Sequence, residues 1–123
     1  MLGFTELETA VLHAVFAETP QVQGALERQL EAAKVVERAN SGAGFFTTIA
    51  VPPNVPPVTI RSPLETDIHA TVGGLDQPMG FVVFMKDGRL ETLEGFTYGA
   101  VSTVDLDFER LNFEVMKLPV TRV

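Results

Sequence analysis

The stretch that decides the fold is Phe81-Val82-Val83-Phe84-Met85-Lys86-Asp87-Gly88-Arg89-Leu90, continued by Glu91-Thr92-Leu93-Glu94-Gly95-Phe96-Thr97-Tyr98. Asp-Gly between two apolar, β-branched and aromatic runs is the strongest short-range signal of an antiparallel hairpin. Two registers compete. A two-residue type I′ loop sets Lys86 opposite Arg89, like charge against like, and Phe84 opposite Glu91. A type I turn with a bulge at Gly88 pairs Met85 with Arg89, Phe84 with Leu90 and Phe81 with Leu93. The second register is expected, because it sets apolar against apolar.

Strand character extends on both sides of the hairpin. Upstream, Phe45 to Val51 is rich in β-branched and aromatic residues. Four prolines between Val51 and Val58 then forbid helix and ladder pairing, so an extended loop is predicted. Val58 to Arg61 reads as a short edge strand. Glu65 to Val72 alternates, with Ile68, Ala70 and Val72 on one face and Asp67, His69 and Thr71 on the other. Downstream, a last strand region is predicted from Val104 to Leu118. Its apolar phase flips between Phe108 and Leu111, as a bulge at Glu109-Arg110 would produce. Asp105, Asp107 and Glu109 then form an acidic strand face, solvated and discouraging edge pairing.

The first third of the chain reads as helical. Thr5 and Glu8 stand in the capping-box relation, and Leu7, Val11, Ala14 and Val15 recur at helical spacing. Thr19-Pro20 signals a second helix, whose inner face is Val22, Leu26, Leu30, Ala33 and Val36 or Glu37. It is expected to stop at Asn40-Ser41-Gly42. The architecture that follows is α+β: an N-terminal helical hairpin packed on one face of an antiparallel sheet of about five strands. Both alternate sets in the hairpin are apolar, so the face away from the helices needs a cover. Val82 and Phe84 on that face are the expected interface of a homodimer.

The chain has 123 residues, 46% of them hydrophobic, no cysteine and a formal charge of -7. One domain spanning residues 1–123 fits that length. Disulfides, zinc–thiolate sites and Cys nucleophiles are excluded. The negative charge disfavours phosphate backbones and anionic membrane surfaces, so neither nucleic acid nor membrane is an expected partner. The first charges are Glu6 and Glu8, where a secretory signal would carry Lys or Arg, and a cytoplasmic location is expected.

Two residue sets could carry chemistry. Glu65, Asp67 and His69 at alternate positions would project from one strand face as a divalent-metal set or an acid–base group. The plainer reading is the solvated face of a half-buried strand. The run Leu93 to Gly99 brings together Glu94, Phe96 and Tyr98, which could line a pocket for a small molecule or peptide, with Gly95 and Gly99 allowing close approach. The plainer reading there is an aromatic core corner. His13, among Leu12, Ala14 and Val15, reads as a partly buried, hydrogen-bonded helix residue. Ser41 to Gly44 leaves a helix for a strand, the wrong order for a phosphate loop, and no Walker, GxSxG or HExxH pattern occurs, so no cofactor is expected.

Gly44-Phe45-Phe46-Thr47-Thr48-Ile49, Gly80-Phe81 with Asp87-Gly88-Arg89-Leu90, and Leu93-Glu94-Gly95-Phe96-Thr97-Tyr98-Gly99 together resemble blocks found in a group of short uncharacterised bacterial proteins, some of them structural-genomics targets. The resemblance covers the strand-rich two thirds of the chain. It implies a bacterial source and a self-contained domain, and assigns no residue a role. The functional expectation is a non-enzymatic module that binds a partner protein or small ligand and self-associates. The alternative is a metal-dependent, hydrolase-like enzyme using Glu65, Asp67 and His69.

Overall fold

The computed structural model describes residues 3–99 and 101–118. Helix α1 (Glu6–Ala17) starts at the predicted capping box: the Glu8 N–H donates to Thr5 Oγ1 at 3.0 Å, and the Thr5 N–H donates to Glu8 Oε1 at 2.8 Å. Helix α2 (Gln23–Ala32) follows. Six strands come next: β1 (Lys34–Asn40), β2 (Gly44–Ala50), β3 (Ile68–Val72), β4 (Met79–Lys86), β5 (Arg89–Phe96) and β6 (Phe113–Lys117). They form one antiparallel sheet in the order β1-β2-β5-β4-β3-β6. The α+β class and the packing of the N-terminal helices on the sheet are as expected; the sheet has six strands among the described residues, against about five expected.

The extra strand comes from the second helix, which is half as long as its apolar spacing suggested. Ala33 adopts an extended backbone and ends α2. Val35 then pairs with Ile49, and Arg38 with Thr47. The segment contains two adjacent β-branched residues, which pack better on a pleated surface than on a helix. Val36 is the extra residue of a bulge between Val35 and Glu37. Asn40-Ser41-Gly42 is therefore a hairpin turn and not a helix stop: the Ser41 N–H donates to Gly44 O at 3.0 Å, and the Gly42 N–H to Asn40 Oδ1 at 2.9 Å.

The decisive hairpin forms across the two-residue loop of the first candidate, and the expected register is corrected: Met85 does not pair with Arg89, Phe84 with Leu90 or Phe81 with Leu93, and the bulge is not at Gly88. Lys86 pairs with Arg89 across a two-residue loop, and Asp87 and Gly88 both take positive φ, 52° and 77°. That is the backbone a type I′ turn requires. Like charges are tolerated at the loop because Lys86 is exposed to solvent and Arg89 turns away to donate to the Val55 and Pro53 carbonyls. A bulge at Glu91 then restores alternation, so that Met85 pairs with Leu90, Phe84 with Thr92, and Val83 with Leu93.

Two further expectations are corrected. Residues 104–112 form turns rather than a strand, so Asp105, Asp107 and Glu109 share no strand face, and the change of apolar phase marks the change from turns to β6. Phe108 packs its ring on Phe45 at a centroid distance of 4.8 Å. Val58 to Arg61 runs outside the named strands: the Val58 N–H donates to Gly88 O at 2.9 Å without extending a ladder. The Pro-rich segment lies outside helix and strand as predicted, but it is not extended throughout: a turn forms at Pro53-Asn54, where the Val55 N–H donates to Pro52 O at 3.0 Å.

The core lies between the helices and one face of the sheet. Leu7, Val11, Leu12, Val15 and Phe16 of α1 and Leu26 of α2 meet Phe45, Ile49, Phe81, Val83 and Leu93. Gln29, Glu8 and Thr47 are polar side chains buried within this layer. Gln29 is 0% exposed; its amide donates to the Pro56 and Gly88 carbonyls and accepts from the Leu90 N–H, which ties α2 to the hairpin turn. Glu8, 1% exposed, receives two bonds from Arg38 at 2.6 and 2.8 Å and the Thr47 hydroxyl. The hydrogen bonds from Arg38 to Glu8 outweigh the cost of burial and hold the guanidinium pKa above the usual arginine range. The opposite face carries Phe46, Val82, Phe84 and Phe96, interleaved with Thr48, Thr92 and Glu94. Among the described residues no helix is long and apolar enough to cross a membrane.

Candidate functional site

The site sits where β3 parts from β4. These strands pair only at His69–Gly80 and Ala70–Met79, and Leu64 makes a single further bridge to Val83. Between His69–Gly80 and Leu64–Val83, the four residues Glu65, Thr66, Asp67 and Ile68 span the length that Phe81 and Val82 cover on β4. The surplus chain bulges outward, a device that re-aims side chains and opens a sheet beside binding sites. A cleft of about 780 Å³ occupies the gap. Its apolar walls are Leu64, Phe81, Val82, Phe96 and Tyr98, and its polar rim is Glu18, Glu65, Asp67 and Lys117.

His69 forms the floor and is 7% exposed. Its Nδ1 lies 2.9 Å from the Asp67 carbonyl oxygen, and its Nε2 lies 2.8 Å from Tyr98 Oη. A carbonyl can only accept, so Nδ1 bears the hydrogen. In the neutral ring Nε2 is then the acceptor, and the Tyr98 hydroxyl donates to it. The two rings stack at 5.8 Å with 17° between their planes, and Phe96 meets Tyr98 edge-on at 5.4 Å. Gly80 makes this approach possible: a Cβ there would stand 2.4 Å from Phe96 Cζ and 3.0 Å from Tyr98 Oη.

The bulge is braced from both sides. The Asp67 carbonyl that holds His69 also accepts the Leu118 N–H at 2.9 Å. Thr66 accepts from the Ile68 N–H at 3.0 Å and donates to Glu18, at the end of α1. Glu18 in turn pairs with Lys117 of β6 at 3.5 Å. The loop carrying Tyr98 is pinned by the Thr97 N–H to Ala43 O at 3.0 Å. Tyr98 itself is 45% exposed along the cleft wall.

The two residue sets singled out in the sequence therefore contribute to one place. Glu65, Asp67 and His69 all line the cleft, but only His69 belongs to β3, because the strand begins at Ile68. Among the described residues no group of three or more His, Asp or Glu side chains is placed to hold a metal ion. Phe96 and Tyr98 line the same cleft; Glu94 stands away from it, on the open sheet face between Phe46 and Val82. Gly95 serves the core, where a Cβ would meet the Phe45 ring at 2.5 Å, and Gly99 borders open space. Val82 reaches the cleft wall, whereas Phe84 lies outside it, half-buried on the open face. His13 is exposed and bonds Glu27 across the helix pair, away from the site.

Glu18, Thr66, Gly80 and Lys117 escaped the sequence reading as site residues. No local pattern marks them, since they meet only through the β3–β4 gap and the return of β6 beside β3. Comparisons of the chain with protein-family models, with curated proteins and with solved structures found no match.

Proposed function

We propose that this protein is a small-ligand-binding module that acts by binding rather than by catalysis, and that the β3–β4 cleft is its site. The observation that carries the reading is the His69–Tyr98 pair on the floor of a cleft of about 780 Å³. Ligand sites usually enclose roughly 300–1,000 Å³, with apolar walls and a few fixed polar groups. Here the walls are aromatic and aliphatic, and the polar atoms at the floor are fixed by a chain of bonds from the Asp67 carbonyl through His69 to Tyr98.

The same geometry favours this reading over the metal-dependent enzyme. Both His69 nitrogens are engaged, so ligating a metal at Nε2 would require breaking the bond to Tyr98. A fragment screen followed by amide chemical shifts tests the proposal. Hits should perturb His69, Gly80, Val82, Phe96 and Tyr98 together. Shifts confined to other surfaces would contradict it.

Self-association through the open sheet face is the second part of the proposal. Phe46, 41% exposed, and Phe84 supply the apolar surface on that face. Phe84 stands outside the cleft, so Phe84→Glu should shift a dimer to a monomer in native mass spectrometry while ligand binding persists. A mass unchanged from the wild type would remove this face as the interface.

A further inference from the structure

We infer that the ligand of the cleft is a cationic amine on an apolar, aromatic-sized body, an inference that rests on the cleft being the binding site. The argument follows the hydrogen atoms. In the neutral His69 ring with its hydrogen on Nδ1, Nε2 accepts from the Tyr98 hydroxyl, so the phenolic oxygen presents only lone pairs to the cleft. The His69 Nδ1 hydrogen is held by the Asp67 carbonyl. Of the hydroxyls on the rim, Thr66 donates to Glu18, and Thr19 donates to the Phe16 carbonyl at 3.1 Å. Lys117 is drawn to Glu18. Apart from the exposed Lys117 ammonium at the rim, the side-chain donors lining the cleft are thus directed into the protein, and the side chains of its floor face the ligand with acceptors. A ligand that supplies donors completes them, and a ligand that brings only acceptors leaves both sides unpaired at a desolvation cost.

The apolar part of the ligand follows from the walls. Phe96 and Tyr98 meet edge to face, and the exposed Tyr98 ring offers a π surface that attracts a cation. Val82 and Leu64 supply the aliphatic side. A primary ammonium one or two carbons from a ring reaches the Tyr98 oxygen while its ring lies against Phe96.

Titration calorimetry at neutral pH with phenethylamine, phenethyl alcohol and hydrocinnamate tests this, since the three share a ring and differ in the charge and donors of the head group. Phenethylamine should bind at least about tenfold more tightly than phenethyl alcohol, the scale of a hydrogen bond to a charged group. Tyr98→Phe should narrow that gap and leave the affinity for the alcohol little changed. Lys117→Ala, which removes the one cation on the rim among the described residues, should tighten phenethylamine. Equal binding of the alcohol, or tighter binding of hydrocinnamate, would overturn the inference and leave the cleft as a ligand site. Failure of all three to bind would overturn the cleft assignment as well.

Discussion

Among the described residues two ionisable side chains are buried in hydrogen-bonded polar centres, Glu8 between α1 and the sheet and His69 at the β3–β4 gap, and they are used differently. Around Glu8 every partner comes from the fold: the Thr5 N–H, the Thr47 hydroxyl and the Arg38 guanidinium, which also donates to the Gly3 carbonyl at 2.8 Å. The centre is closed and joins the start of α1 to β1 and β2. Around His69 the chain of bonds ends on Tyr98, whose ring is half in solvent along a cleft. Burial of a polar group demands partners in both places. The first centre completes the set internally, and the second leaves its last oxygen facing a ligand.

The largest effect should come from breaking the closed centre. Glu8→Ala leaves the Arg38 guanidinium and the Thr47 hydroxyl without their acceptor, and should cost about 3–5 kcal/mol in urea unfolding. The double variant Glu8→Leu with Arg38→Met should cost less than either single change, because it removes both charges together. A group whose folded pKa is raised contributes stability at every pH below its unfolded value, lost only as pH climbs through the folded one. The Arg38 share of the pair should therefore stay constant across the neutral range.

Gly80→Ala should have an intermediate effect. The new Cβ meets the Phe96 ring and crowds Tyr98 Oη, so about 1–2 kcal/mol of stability should be lost, together with the affinity for phenethylamine. Tyr98→Phe should have the smallest effect on the fold, under about 1 kcal/mol by thermal unfolding, because His69 keeps its bond to Asp67 and gains access to water. A Tyr98→Phe loss as large as that of Glu8→Ala would erase the contrast between the centres.

The legibility of the sequence divides along the same line. The capping box, the Asp-Gly hairpin, the Pro-rich loop and the α+β class follow from local rules, since each depends on residues a few positions apart. Residues 34–40 misled because Val36 continued a helical stripe, while their true constraint, Arg38 reaching Glu8 thirty positions earlier, is non-local. Residues 104–112 misled because apolar alternation also arises where single side chains such as Phe108 dip from a turn onto the core. At the site, His69, Phe96 and Tyr98 were visible as unusual residues in separate segments. Their meeting was not, because it depends on the surplus residues between Leu64 and His69 and on Gly80 leaving room.

The account turns on where one hydrogen lies. A long-range proton–nitrogen correlation spectrum of the imidazole rings at neutral pH locates it, with His13→Gln used to assign the two histidines. The account predicts His69 as the neutral tautomer protonated at Nδ1, with Nε2 bare and accepting from Tyr98. A ring protonated at Nε2, alone or together with Nδ1, would turn Tyr98 into a donor toward the cleft and contradict it.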